Sequence, residues 1–251
     1  MANPETADSG KAVLIVGASG GIGSAMVRHY LDSDESLQVY AVSRAAAGPD
    51  ELVADSRVHW LQCDHSEESI QRVVAELVAS GLQVHRVVIC TGVLHGDDFM
   101  PEKALDAING DVMRAVLDIN LVVPALWVAA LARPLRRASG TVIGVLSARV
   151  GSIGDNQLGG WYSYRSSKAA LNMFLKSAAI EYARRAPGVK LVAFHPGTTD
   201  TELSKPFQAN VPAGKLFTTE FVAERLMTLL DGLEPDGELS YLDWAGLDIP
   251  W

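Results

Sequence analysis

The feature that most constrains the fold is a glycine-rich turn between a short apolar run and an amphipathic stretch. The run covers residues 12–16 (Ala-Val-Leu-Ile-Val), and the stretch covers residues 24–31. An unbroken apolar run of this length predicts a strand buried on both faces of a parallel sheet. Glycines between such a strand and a helix let the backbone approach a pyrophosphate, whose charge is met by free N–H groups and the helix dipole. The turn therefore predicts a dinucleotide-binding site.

Three glycines, Gly17, Gly21 and Gly23, give the turn a G-x-x-x-G-x-G spacing, which differs from the more common G-x-G-x-x-G. Ser19 and Ile22 lie in the same turn, and we expect both to contact the cofactor. A merely flexible glycine-rich loop is the alternative interpretation. We favour the binding turn because strand, turn and helix follow one another in the required order.

The second predicted strand, residues 37–42, ends in a pair that favours one nicotinamide cofactor over the other. Ser43 and Arg44 stand about 20 residues beyond the last glycine, where an NAD-preferring site places an acidic side chain. Their hydroxyl and planar guanidinium suit a ribose 2′-phosphate, so the sequence predicts NADP(H), unless Arg44 is an ordinary solvated arginine. Asp64 follows the third strand, residues 57–63, and either accepts a hydrogen bond from the adenine amino group or belongs to the next turn.

A tyrosine and a lysine four residues apart form a candidate proton-transfer pair. Tyr164 and Lys168 lie in a segment predicted to be helical from about residue 160, so both occupy one helical face. A phenol with a pKa of about 10 is a poor acid or base at neutral pH, but a neighbouring ammonium is expected to lower that pKa. Because this spacing also arises by chance on solvated helices, the pair gains its meaning from the nucleotide-binding turn.

The rest of the chain alternates short apolar strands with helical patterns of about 12–20 residues. This alternation predicts an α/β fold with one domain, a doubly wound, Rossmann-type, mostly parallel sheet with helices on both faces. A chain of 251 residues can bury a substantial core as one domain. We expect that domain at residues 11–251, after a polar and disordered lead-in at residues 1–10.

Charge and cysteine content narrow the partners and the location. A formal net charge of −9 with no basic cluster argues against nucleic acid as a partner. The longest apolar run, residues 121–132, contains Pro124 and is too short to span a bilayer, so no membrane partner is expected. Cys63 and Cys90 end predicted buried strands and give no disulfide framework, which favours a reducing cytoplasm.

The histidines do not predict a metal site. His59, Cys63 and His65 come nearest to a ligand cluster, but zinc needs three or four converging ligands. His95 and His195 follow the fourth and sixth predicted strands, where they either line a pocket or play a structural role.

Taken together, these residues resemble the short-chain dehydrogenase/reductase family, and the resemblance covers nearly the whole chain. The glycines of the turn match the family's cofactor glycines, and Tyr164 and Lys168 match its active-site pair. Residues 149–156 and 159–165 further resemble the C-factor and Sniffer-like carbonyl reductase branch. The resemblance implies a small-molecule carbonyl or alcohol substrate and hydride transfer with NADP(H).

The resemblance also assigns residues between the two ends of the chain. Asn120 matches a helix-borne asparagine that would anchor a water in a proton relay to Lys168. Ser147, at the end of the predicted strand 141–146, matches the serine that would hydrogen-bond the substrate oxygen. Further cofactor contacts are expected at Gly92, Pro196, Gly197 and Thr199.

One departure from the family pattern concerns the serine. Ser147 precedes Tyr164 by 17 residues, a longer spacing than the family usually shows. Counting forward along the strand from Gly140 selects Ser147, whereas counting back from Gly151 lands nearer Ala148. We choose Ser147 because a strand varies less in length than a loop, and Ser152 is the second choice.

The sequence thus predicts an NADP(H)-dependent oxidoreductase with Tyr164 as proton donor or acceptor. A non-catalytic NADP(H)-binding sensor and an epimerase or dehydratase on the same fold are the alternatives. Residues 111–132 and 160–185 match the two helices that this family commonly uses for subunit contact. The second carries a wide apolar stripe, which predicts a homodimer or homotetramer unless the sheet of the same chain covers the whole stripe. Residues 198–214 mix turn residues with isolated apolar ones and predict a mobile lid.

Overall fold

The computed structural model describes residues 10–251, so all but the last residue of the predicted lead-in lies outside the described residues. The strands are β1 Lys11–Val16, β2 Gln38–Ser43, β3 Val58–Gln62, β4 Gln83–Ile89, β5 Thr141–Leu146, β6 Val189–His195, β7 Thr198–Thr199, β8 Leu216–Phe217 and β9 Leu239–Asp243. The α-helices are α1 Gly21–Ser33, α2 Asp50–Val53, α3 Glu67–Ala79, α4 Gly110–Leu117, α5 Val123–Ala132, α6 Tyr162–Arg185 and α7 Thr219–Asp231.

Seven strands form one parallel sheet in the order β3-β2-β1-β4-β5-β6-β9. The chain runs outward from β1 to β3 and then returns to the other side of β1, so the strand order reverses between β1 and β4. The connections diverge at this reversal and open a crevice at the carboxyl ends of the strands, where doubly wound sheets bind ligands. The predicted fold class is confirmed.

Helices cover both faces of the sheet, which explains why its central strands are apolar without interruption. Every residue of β5 is buried. Alternate side chains of β1 enter two different cores: Val13 and Ile15 pack with α1 and α7, whereas Leu14 and Val16 pack with α3, α5 and α6. Because the strands are packed on both faces, the carboxyl edge of the sheet and the loops that follow its strands are held in a fixed position.

The bounds of β1, β2, β3 and β5 agree with the predicted bounds to within one residue. The helix that carries the tyrosine and lysine begins later than predicted, at Tyr162. Gly159, Gly160 and Trp161 precede it with φ angles of 63°, 64° and 51°. A right-handed helix cannot include left-handed residues, so these three set its first residue.

A π-helical turn, Asp118–Val122, joins α4 and α5 into one continuous helix from Gly110 to Ala132. By length and composition alone this helix could cross a membrane, so the short apolar run does not decide the matter and the absence of a membrane partner stays a prediction. Its apolar composition also suits its place in the fold, because Trp127 and Leu131 are fully buried in the core. Single π-helical turns inside α-helices are frequent at functional sites, and Asn120 lies in this one.

The predicted lid closes on itself through a short parallel ribbon. Strand β7 pairs with β8, so the two ends of the intervening segment, residues 200–215, are held together. Within the segment, the Gln208 amide donates to Asp200 and to Ser204, and a 3₁₀ turn covers Lys205–Asn210. The segment is an ordered loop, and its mobility stays a prediction.

Candidate active site

The glycine-rich turn lies at the reversal of the sheet, between β1 and α1. Gly17 has a φ of 86°, which side-chain-bearing residues rarely adopt, and its N–H donates to the Val42 carbonyl oxygen at 2.9 Å. A Cβ on Gly23 would lie 2.1 Å from the Gly17 carbonyl oxygen, so this position excludes a side chain. Helix α1 has Gly20 as its N-cap, with no side-chain cap and no acidic residue in its first turn. Its first N–H groups are therefore open to an anion such as a pyrophosphate.

The end of β2 is connected to this turn by two hydroxyls, because Ser43 Oγ donates to Ser19 Oγ at 2.7 Å. Arg44, the next residue, is exposed, and its guanidinium makes no hydrogen bond or ion pair within residues 10–251. Asp64 accepts from the Ser66 N–H and Oγ at 2.9 and 2.7 Å, and these bonds lower its pKa. Asp64 thus serves the turn before α3, and an adenine contact stays a prediction.

Asn120 is fully buried, and its amide clamps the segment that follows β4. The Val93 N–H donates to Asn120 Oδ1 at 2.7 Å, while Nδ2 donates to the Val93 carbonyl oxygen at 2.8 Å and to Ser167 Oγ at 3.0 Å. A Cβ on Gly92 would lie 3.5 Å from Oδ1 and 3.7 Å from Lys168 Nζ. Since both amide hydrogens are used, a water at Asn120 would have to donate to Oδ1 or to the backbone carbonyl oxygen. The proton relay stays a prediction.

Tyr164 and Lys168 lie together on the buried face of α6, with 9% and 2% of their surface exposed. Lys168 Nζ is 5.9 Å from the centre of the Tyr164 ring and donates to the Leu146 carbonyl oxygen at 2.8 Å. Burial lowers the pKa of Lys168 to about 8 and raises the pKa of Tyr164. The shift of Tyr164 is opposite to the expected one, because desolvation of the phenolate outweighs the attraction of an ammonium that is bonded to a carbonyl group. In this state the phenol keeps its proton at neutral pH.

Both candidate serines are buried, and both use their hydroxyls away from Tyr164. Ser147 directly follows β5, as predicted, but its Oγ donates to Asn172 Oδ1 at 2.6 Å. Ser152 Oγ accepts from the Asp155 backbone N–H at 3.0 Å. Within residues 10–251, neither hydroxyl is bonded to the phenol, so the structure does not bring together the predicted serine and tyrosine.

Ala148 is the residue after β5 that shares a buried apolar cluster with Tyr164 and Leu94. It is 8% exposed. Its carbonyl oxygen accepts from the Tyr241 hydroxyl at 2.7 Å, which fixes the backbone at this point. This is the residue reached by counting back from Gly151.

The amino-terminal end of α6 is held by a carboxylate from a distant loop. Trp161 precedes the helix and provides no side-chain cap. Glu102, which is 5% exposed, instead accepts from the Ser163 N–H at 3.1 Å and from the Ser163 hydroxyl. A carboxylate is favoured here by the unpaired N–H groups and the helix dipole. Glu102 thereby fixes the helix turn that carries Tyr164, and no local pattern predicts it because the contact joins residues 61 positions apart.

A series of aromatic contacts leads from Tyr164 through Trp161 and Phe207 to His95. The ring centres of Trp161 and Phe207 lie 5.0 Å apart, those of Trp161 and Tyr164 6.3 Å apart, and those of His95 and Phe207 5.9 Å apart. His95 Nε2 donates to the Glu202 carbonyl oxygen at 3.1 Å, so this histidine connects the lid to the aromatic wall. The rings form an apolar surface next to the phenol.

The lid also covers the glycine-rich turn. A Cβ on Gly21 would lie 2.9 Å from Thr201 Cγ2 and 3.1 Å from Thr219 Cγ2. The lid segment and the start of α7 therefore pack directly on the first helical residue of α1.

The residues after β6 complete the crevice. Gly197, next to Pro196, has a φ of 74°, and a Cβ there would lie 2.6 Å from the Phe217 ring. Thr199 Oγ1 and Thr91 Oγ1 are buried and have no hydrogen-bond partner within the described residues. Buried hydroxyls of this kind normally have a partner. With the open amino terminus of α1 and the glycine cradle, they fit a dinucleotide.

Two further polar residues flank this region: Asn172 on the buried side of α6 and His195 at the end of β6. Asn172 stands four residues after Lys168, and this helical spacing is the signal in the sequence that could have revealed it. Burial lowers the pKa of His195 to about 4, so its ring is neutral at pH 7, and its Nδ1 has no partner in the described part of the chain. The choice between a pocket and a structural role stays open for His195.

The three residues considered as metal ligands have other partners or are buried in the core. His59 Nε2 is bonded to Gln38, His65 Nδ1 accepts from Trp127, and Cys63 is buried. Across residues 10–251, no three His, Cys, Asp or Glu side chains converge as metal ligands.

A basic cluster lies at the opposite edge of the sheet, which corrects the expectation that the chain has none. Arg133, Arg136, Arg137 and Arg185 line a hollow of about 390 Å³. These residues precede the amino ends of β5 and β6, whereas the glycine-rich turn and Tyr164 lie at the carboxyl edge. The hollow is therefore separate from the candidate active site.

Known proteins share this chain's sequence and structure. A family model described as short chain dehydrogenase matches residues 11–212. The 1-hydroxy-2-glutathionyl-2-methyl-3-butene dehydrogenase of Rhodococcus sp. (strain AD45) is 30% identical over 95% of this chain and 99% of its own length. C-signal of Myxococcus xanthus is 32% identical over 57% of this chain and 82% of its own.

Two solved structures extend the comparison. A short-chain dehydrogenase/reductase from Burkholderia multivorans, described as putative and solved with bound NADP, is 26% identical with a TM-score of 0.79, over 96% of this chain and 100% of its own. The NADPH-bound carbonyl reductase from chicken fatty liver is 24% identical with a TM-score of 0.82, over 96% of this chain and 98% of its own, and shows the same fold.

Proposed function

The chain belongs to the short-chain dehydrogenase family, whose members are oxidoreductases, and on that basis we propose that it interconverts a carbonyl and an alcohol with NADP(H). The observation that carries the proposal is the buried pair of Tyr164 and Lys168 at the carboxyl edge of the sheet. The pair is connected to the nucleotide crevice through residues 90–92. A Cβ on Gly92 would lie 3.7 Å from Lys168 Nζ, and a Cβ on Gly17, in the glycine-rich turn, would lie 3.3 Å from the Cys90 carbonyl carbon.

The residues of the crevice would hold the cofactor at the carboxyl edge of the sheet. The glycine cradle and the open N–H groups of α1 suit its pyrophosphate, and Ser43 with Arg44 suits a ribose 2′-phosphate. The unpaired hydroxyls of Thr91 and Thr199 offer further hydrogen bonds. NADP and NADPH were found bound in the two structural relatives, which supports the same choice here. The bound cofactor supplies or accepts the hydride.

Tyr164 would move the proton. Because burial raises its pKa, its hydroxyl is protonated at neutral pH and would donate its proton to a carbonyl oxygen when the reaction runs as a reduction. Lys168, with a pKa of about 8, carries a positive charge at pH 7 and would stabilise the phenolate left after donation. Asn120 and Glu102 would act by position, since they hold the two segments that flank the pair.

The substrate would be an apolar carbonyl compound. The Trp161 ring lies next to Tyr164, the Phe207 ring contacts Trp161, and the His95 ring contacts Phe207. Such rings bind flat apolar groups by stacking and by burial of area. We therefore propose aromatic aldehydes and ketones and quinones as the compounds to test.

The test is NADPH oxidation, followed by its absorbance, with a panel of these carbonyl compounds. We expect turnover by the wild type and a drop of about a hundredfold or more in Tyr164→Phe, with NADPH affinity retained. Tyr162→Phe is the matched control, because it removes a hydroxyl from the same helix two residues away. Undiminished turnover in Tyr164→Phe would contradict the assignment of the proton donor.

A second candidate is a non-catalytic NADP(H)-binding sensor, and the observation that favours it is Ala148 in place of a hydroxyl beside the tyrosine. Binding of NADPH without turnover of any carbonyl in the panel would support the sensor.

We propose a homodimer or homotetramer that forms through the two long helices. Met173 and Ile180 of α6 are 67% and 47% exposed, and Val122 at the end of the π-helical turn is 41% exposed. A large apolar patch left in water favours association. Cys63 and Cys90 are free thiols, which suits a reducing cytoplasm, the location that we propose.

A further inference from the structure

The two residues after β5 point to opposite sides, and this determines which of them meets the substrate. Ser147 donates its hydroxyl hydrogen to Asn172 Oδ1 at 2.6 Å and is 3% exposed. Ala148 belongs to the apolar cluster of Tyr164 and Leu94. Alternation along an extended chain requires this division, and Ala148 is extended, with φ −156° and ψ 145°.

Contacts on both sides of the chain hold the Ser147 and Ala148 side chains in their opposite orientations. On the buried side, Asn172 is 3% exposed and Ser147 is bonded to it. Directly after Ala148, the Tyr241 hydroxyl donates to the Ala148 carbonyl oxygen at 2.7 Å. A rotation that brought the Ser147 hydroxyl to the substrate would break its bond to Asn172 and leave a buried polar group without a partner.

We infer that Ser147 is a structural residue and that Ala148, after β5, is the residue that lies beside the reacting oxygen. Among β5, the two residues after it and α6, Tyr164 is then the only residue whose hydroxyl reaches the substrate. The inference rests on the proposed function and narrows its substrate class. One donor leaves more negative charge on the oxygen as hydride arrives, and a missing oxyanion donor typically costs a hundredfold to a thousandfold in rate. Such a site favours carbonyls that are already electrophilic, such as aldehydes, quinones and aryl ketones with electron-withdrawing groups.

The experiment adds the missing hydroxyl. We expect Ala148→Ser to raise kcat/KM for an unactivated aryl ketone by about tenfold or more, and to reduce the rate advantage of electron-poor ketones in a series of ring-substituted substrates. Ala148→Cys is the matched control, because it adds an atom of similar size with only a weak donor and should give no such gain.

The variant Ser147→Ala tests the structural role inferred for Ser147. We expect its kcat/KM to stay within about threefold of the wild type, while its Tm falls by about 2–4 °C from loss of the buried bond. The Tm reports the structural role without reference to turnover.

The outcomes separate this inference from the proposed function. Two results would overturn the inference. One is a loss of a hundredfold or more in kcat/KM in Ser147→Ala at unchanged fold. The other is no gain in kcat/KM in Ala148→Ser, including the case in which neither that protein nor the wild type turns over. A gain of turnover in Ala148→Ser from an inactive wild type would support the inference and contradict the reductase proposal. Separately measured NADPH binding shows whether the cofactor part of the proposal holds.

Discussion

Replacing Lys168 should make the protein more stable while it removes activity. The ammonium of Lys168 is 2% exposed, and burial lowers its pKa from 10.5 to about 8. One pKa unit corresponds to 1.36 kcal/mol, so keeping the charged form in the folded state costs about 3 kcal/mol at neutral pH. Lys168→Met removes that cost but also loses the hydrogen bond to the Leu146 carbonyl oxygen, worth about 1 kcal/mol. We therefore expect a net gain of about 2 kcal/mol in the free energy of unfolding.

The sign of the pH dependence follows from the same shift. Between about pH 8 and pH 10.5 the unfolded chain binds more protons at this lysine than the folded chain does, so wild-type stability rises with pH across that window. The advantage of Lys168→Met should thus be largest at about pH 7 and should shrink by about 2 kcal/mol at about pH 9.5.

Urea unfolding followed by tryptophan fluorescence measures both effects, at one protomer concentration because association contributes to stability. Lys190→Met is the control, since Lys190 is 1% exposed but is paired with both Asp236 oxygens at 2.6 Å. That substitution should lower stability by about 1.5–3 kcal/mol. A Lys168→Met protein that is less stable than the wild type at pH 7, or whose difference does not change with pH, would refute the reasoning.

Three further outcomes are expected. We expect the wild type to bind NADPH more tightly than NADH by about 1.5–3 kcal/mol, and Arg44→Ala should remove most of this difference. Titration followed by cofactor fluorescence measures both affinities, and equal affinities in the wild type would contradict the prediction. Gly23→Ala should abolish NADPH binding in the same titration, because its Cβ would lie 2.1 Å from the Gly17 carbonyl oxygen, and retained affinity would show that the turn can adjust. Light scattering should report a dimer or tetramer at micromolar concentration, and a stable monomer of 26.8 kDa would count against association.

Local sequence predicted the parts of the site that depend on backbone conformation. The strand, the glycine turn and α1 are consecutive, so their order alone fixes the open helix terminus, and Gly17 has the positive φ that the turn requires. The spacing of Tyr164 and Lys168 likewise placed both on one face of α6.

The parts that depend on tertiary contacts could not be predicted in this way. The pKa of Tyr164 is raised because the folded protein buries it, and burial is not a property of the Y-x-x-x-K spacing. Counting along the chain selected Ser147 with Ser152 as the second choice, although counting back from Gly151 landed nearer Ala148. The bond to Asn172 and the apolar cluster around Tyr164 show which way Ser147 and Ala148 point. Glu102 reaches α6 from a separate loop, so no window of sequence contains both partners.

The packing of Thr201 and Thr219 against Gly21 has a consequence for the order of events in turnover. The lid and the start of α7 form a roof above the first turn of α1, where the pyrophosphate would lie. A dinucleotide enters or leaves that space only when the roof is raised, whereas a carbonyl compound would bind beside the Tyr164 and Trp161 rings. The steady-state kinetics should accordingly follow a compulsory order, with NADPH first on and NADP⁺ last off. NADP⁺ should then inhibit competitively against NADPH and non-competitively against the carbonyl compound.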